Sequence, residues 1–78
     1  MMRVGDTVKF VCKSGIQASN IRFRDKTGEW AEVDLLNKVG QVVSSGTTRA
    51  VKVKFPEVHG PVTMFDHPDD FEILEGTG

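Results

Sequence analysis

The sequence predicts an all-β fold: five short strands, a long loop or hairpin after the first, and one helical turn before the last. Three observations carry this. Valine occurs 11 times against 3 each for leucine and alanine, and valine, isoleucine and threonine together supply 20 of the 78 residues. Such β-branched side chains lose rotamer freedom against a helical turn and pack well on a pleated surface. Residues 51–55, Val-Lys-Val-Lys-Phe, alternate strictly between apolar and charged, the period of a strand with one buried face. Glycine, proline, serine and aspartate cluster between the apolar runs, where turns need them. The length fits a single domain over 1–75, with 76–78 as a flexible tail.

The first strand is expected over Val4–Lys13, with Val4, Val8, Phe10 and Cys12 on one face, closed by Ser14-Gly15. Segment 16–39 admits two readings. As a hairpin, Ile21 and Phe23 alternate with Arg22 and Arg24, Asp25-Lys-Thr-Gly28 turns, and Glu32 and Asp34 come back beside the arginines. As a helix, Trp30, Val33 and Leu36 form a stripe of barely two turns with no N-cap. The hairpin, or an ordered excursion, is the expectation. Gly40–Ser45 is the second strand, Ser45–Thr48 a turn and Ala50–Phe55 the third strand, with Pro56 stopping it. Val62–Phe65 is the fourth strand. Asp66-His67-Pro68-Asp69-Asp70-Phe71 reads as one helical turn, with Asp66 or His67 capping it before Pro68 at the first helical position, and Phe71–Leu74 is the last strand. The expected core is Val4, Val8, Phe10, Val42, Val51, Val53, Phe55, Met64, Phe71 and Ile73. Gly40 should be required for its backbone, through a positive φ or the close approach of a neighbouring strand.

Gly5-Asp6 opening the first strand, Val39-Gly40-Gln41-Val42 opening the second, Val51–Phe55 as the third and Asp70–Leu74 closing the chain resemble, in order and spacing, the SH3-like small β-barrel. The same pattern is similar to the small barrel protein of photosystem I, the variable chain of ferredoxin–thioredoxin reductase, KOW-type modules and type II dihydrofolate reductases. These families share a barrel and differ in function, so the resemblance implies a fold without choosing an activity.

Net charge is −1, but residues 1–55 carry +5 and residues 56–78 carry −6, so the two segments either neutralise one another across the barrel or face different partners. The single cysteine, Cys12, excludes an internal disulfide and is expected as a small core residue. No apolar run reaches membrane-span length, and the N-terminal residues lack a signal-peptide core; a cytoplasmic protein without membrane association is expected. For so short a chain, homo-oligomerisation is the remaining common supplement to the core.

Catalytic constellations are sparse, and neither an enzyme, a cofactor nor a metal site is expected. His59 sits in a loop. His67 lies among Asp66, Asp69 and Asp70, whose carboxylates splay from one turn. The dihydrofolate reductase resemblance would place an active strand of Val-Gln-Ile-Tyr where this chain has Val62-Thr63-Met64-Phe65, without the orienting amide and hydroxyl. Lys9, Lys13, Lys52 and Lys54 would form a basic stripe attractive to nucleic acid, opposed by a pI of about 6.1. A protein partner is the favoured expectation, bound through segment 16–38 at Trp30 with Arg22, Arg24 and Glu32 at the rim. A lone tryptophan ringed by charge is the composition of a binding hot spot; the same residue read as a plug in the barrel end would be buried.

Overall fold

The computed structural model describes residues 2–46 and 48–76. Among them the chain is all-β, with no helix and seven strands: β1 (Thr7–Phe10), β2 (Asn20–Arg24), β3 (Trp30–Asp34), β4 (Val39–Ser45), β5 (Ala50–Lys54), β6 (Val62–Phe65) and β7 (Phe71–Glu75). Every strand pairing is antiparallel. Five strands form one open sheet in the order β6-β5-β4-β1-β7, and β2 and β3 form a separate hairpin. Segment 16–39 thus resolves in favour of the hairpin. The helical stripe is overturned, since Trp30 and Leu36 are exposed.

The strand period sets the core. Along β5, Val51 and Val53 are buried while Lys52 is exposed and Lys54 partly so; along β6, Val62 and Met64 are buried while Thr63 and Phe65 are exposed. Val8, Phe10, Val42 and Phe71 complete the inner face of the sheet. The Phe10 and Phe71 rings, opposite one another in register, meet at 5.2 Å between centroids and 46°, a tilted contact worth about 0.5–1.5 kcal/mol beyond burial. Phe55, just past β5, is fully buried. Leu35 and Val58, outside the strands, close the core from the connecting loops. The inner face of the hairpin (Ile21, Phe23 and Val33) packs against this cluster.

Two expected core residues are corrected. Val4 is 54% exposed because the chain turns there: Gly5 takes φ 96° and the Asp6 N–H donates to Arg3 O at 3.0 Å, so the strand begins only at Thr7. Ile73 faces Val8 across the ladder, yet β7 is an edge strand and leaves it 51% exposed. The first strand also ends early. Cys12 adopts φ 52° and the N–H groups of Val11 and Cys12 both donate to Asp70 O, so Cys12 is only partly buried beside the core.

Where a helical turn is expected at 66–71, the chain makes a single hydrogen-bonded turn, Asp70 N–H to His67 O at 3.0 Å. Asp66 does not cap it; its carboxylate accepts instead from Met2 N–H at 3.3 Å. The expected turn over Ser45–Thr48 includes Thr47, and the expected tail includes residues 77–78; these lie outside the described residues.

Gly40 shows why the second strand opens with glycine. A Cβ there would lie 2.8 Å from both Lys54 O and Val53 Cγ1, and 2.9 Å from Phe55 Cδ1. The requirement is the close approach of β5.

Candidate functional site

The hairpin is built by its turn. Asp25 N–H donates to Glu29 O at 2.8 Å, and Gly28 N–H to Asp25 O at 2.9 Å, with Gly28 at φ 86°. The Asp25 carboxylate accepts from the hydroxyl and the N–H of Thr27 and from Glu29 N–H. The Thr27 hydroxyl above all, with the backbone N–H groups, holds Asp25 below the ordinary carboxylate value against a smaller opposing effect of desolvation. The carboxylate is thereby fixed as an acceptor at the turn.

That turn sets a register in which Asn20 faces Asp34, Arg22 faces Glu32 and Arg24 faces Trp30. All six side chains are on the exposed face, because the odd-numbered β2 and β3 partners Ile21, Phe23 and Val33 take the inner one. The four residues singled out from sequence, Trp30, Arg22, Arg24 and Glu32, therefore share one surface. Trp30 is 59% exposed, which overturns its reading as a barrel plug. The Arg24 guanidinium lies 5.1 Å from the Trp30 ring centroid and its Nη1 donates to Gly28 O at 2.9 Å. One face of the indole is thus covered by a held cation, a contact worth about 0.5–1 kcal/mol at an exposed site.

A second carboxylate with three donors, this one buried, lies elsewhere and is not evident from sequence. Asp70 is fully buried. Its carboxylate accepts from Ser14 N–H at 2.7 Å, Ser14 Oγ at 2.8 Å and Gln17 Nε2 at 2.7 Å. Desolvation pushes this carboxyl up, but the bonds from Ser14 and Gln17, with a contribution from His67, outweigh it and hold it below the ordinary value. Three donors to one buried carboxylate tie loop 11–17 to the start of β7. The neighbouring thiol belongs to Cys12. Burial first, and the Asp70 charge second, push Cys12 up, so it is a protonated thiol at neutral pH, donating to Gln17 O at 3.0 Å.

The other candidates are dispersed. His67 Nδ1 accepts from Asp69 N–H at 3.1 Å, and His59, exposed, is held by its backbone N–H to Arg24 O at 2.8 Å. No three His, Cys, Asp or Glu side chains among the described residues are grouped as metal ligands. In the basic stripe, Lys9 pairs in register with Glu72, Lys13 lies in a loop beyond β1, and Lys54 Nζ is turned back on Phe55 O and Val58 O at 2.9 and 2.5 Å. Lys52 alone among the four stands exposed on a strand of the sheet.

A scan against protein-family models, a search of curated proteins and a search of solved structures each found no match to this chain.

Proposed function

We propose that this chain is an SH3-like small barrel acting as a non-catalytic accessory module, which captures a protein partner through the outer face of the β2–β3 hairpin. Support for the barrel reading comes from the strand order, in which the first and last strands pair and a hairpin is inserted between β1 and β4. The observation that carries the functional reading is the exposed Trp30 under Arg24, flanked by the Arg22–Glu32 pair. A rigid aromatic with a charged rim is the usual centre of a protein-binding surface. A nucleic-acid-binding, KOW-like role is the second reading; the exposed Lys52 favours it, and the engagement of Lys54 weakens it.

The two readings separate in one experiment. Immobilised wild type and Trp30→Ala are compared for capture from the native host, with and without nuclease, at 50 and 200 mM salt. The protein-binding reading predicts a partner lost with Trp30→Ala, retained after nuclease and little affected by salt. Capture that survives Trp30→Ala but falls by 10-fold or more at the higher salt would support phosphate binding instead.

A further inference from the structure

The side chain of Gln17 does what a neighbouring strand would do. Phe65 N–H donates to Gln17 Oε1 at 3.1 Å, and Gln17 Nε2 donates to Phe65 O at 3.2 Å. The carboxamide therefore meets both backbone groups of one β6 residue, as the peptide group of a paired strand does. It is held in place by its third bond, Nε2 to the buried Asp70. Because the Phe65 groups point away from β5, the Ala50–Phe65 pair is one of the pairs that do not exchange ladder bonds. The antiparallel alternation then turns Thr63 N–H and C=O outward as well.

These outward groups face a slot. The hairpin runs beside β6 and is pinned to that side of the molecule at the far end by the Asp25–Val58 bridge and His59 N–H to Arg24 O. Away from that end, no Cα of β2 comes within 8 Å of β6, well beyond the roughly 4.8 Å spacing of paired strands. The gap is a slot of about 250 Å³, its walls including Ala18, Ile21, Val62 and Met64. The two edges of the sheet are protected differently. Edge strand β7 carries Glu72 and Glu75, which repel a second copy of themselves. Edge strand β6, Val-Thr-Met-Phe, carries no charge, so two copies can meet antiparallel without like-charge repulsion, the condition for unwanted strand addition.

We propose that Gln17 is an edge guard, whose carboxamide occupies the place of a missing strand on β6 and prevents that edge from pairing with the β6 of a second copy of this chain. The test is sedimentation over a range of concentrations, combined with residue-resolved amide hydrogen exchange. Wild type is expected to show no association through β6, with Phe65 N–H protected and Thr63 N–H exchanging freely. Gln17→Ala is expected to dimerise at a concentration at least 10-fold lower, with Thr63 N–H becoming protected in the dimer. Adding Thr63→Pro should restore the monomer, since it removes an outward N–H and no bond to β5. If Gln17→Ala does not fold, Gln17→Glu is read in the same way, because it loses the donor and sets a carboxylate against Asp70. A folded Gln17 variant that stays monomeric, a dimer in which Thr63 N–H still exchanges freely, or a wild type that already pairs through Thr63 would each overturn the proposal.

Discussion

The five-stranded sheet and the β2–β3 hairpin are made from the same kind of alternating sequence and end in different states. In the middle of the sheet the inner residues are fully enclosed: Val8, Phe10 and Val53 have no exposed surface. In the hairpin no residue is fully buried. Its inner positions are half-covered and its outer ones are all exposed. The sheet buries its face under the hairpin and the loop residues Leu35 and Val58, whereas the hairpin has a single neighbour and lays down only one side of itself. The difference teaches where substitutions are tolerated. A side chain in the sheet is set by packing; a side chain on the outer hairpin is set by its turn and its cross-strand partner, and is available for recognition.

The comparison is broken most severely at Gly40. Gly40→Val places a branched side chain against the Lys54 carbonyl and the Val53 and Phe55 side chains, so β4 must move away from β5. The loss is expected at the top of the roughly 1–3 kcal/mol range of overpacked cores or beyond it, read as a lower denaturation midpoint; a variant melting at the wild-type temperature would show that the strands have room to part.

Next comes Asp70. In Asp70→Asn one oxygen becomes an NH2 group, and whichever way the amide is turned, a donor faces Ser14 N–H or Gln17 Nε2. The expected cost is about 1–3 kcal/mol at neutral pH. Because the folded-state carboxyl lies below its ordinary value of 3.8, its stabilisation is present above that value and is lost as pH falls through the folded-state value. The stability gap between wild type and Asp70→Asn should therefore be constant near neutrality and shrink below about pH 4. A gap that does not change with acidification would assign the loss to shape alone.

The smallest effect belongs to the hairpin. Arg22→Ala removes one member of the directly opposed Arg22–Glu32 pair and is expected to cost only about 0.2–1 kcal/mol, measured by denaturant unfolding. A larger loss would mean that the outer face contributes to packing.

Much of this was legible in the chain. Strict alternation located β5 with Val51 and Val53 in the core, the short apolar run after the 57–61 loop located β6 with Met64, and the Asp25–Gly28 turn brought Arg22 and Arg24 near Glu32 and Asp34. What escaped detection depends on chain crossings that no local pattern records. Val4 and Cys12 follow the strand period, but backbone at positive φ ends the strand on both sides. Val58 is a single apolar residue in a polar loop and Leu35 one of two adjacent leucines, and only the position of the sheet makes them core. Ile73 has the right period on an edge with nothing above it. Asp70 is one of several acids in its segment, and Gln17 lies 53 residues from it; their bond has no signal in sequence beyond the presence of both residues. The surface around Trp30 was recognisable as a lone aromatic among charges, whereas the contact with Arg24 required the register.

The division between a packed sheet and an exposed hairpin face is tested most directly by the unfolding free energy of Trp30→Ala. With Trp30 59% exposed and resting on Arg24 instead of the core, the variant is expected to unfold cooperatively within about 1 kcal/mol of wild type, the scale of one exposed cation–π contact. A loss of about 3–5 kcal/mol, the cost of deleting a buried aromatic, would put the indole in the core and contradict the account.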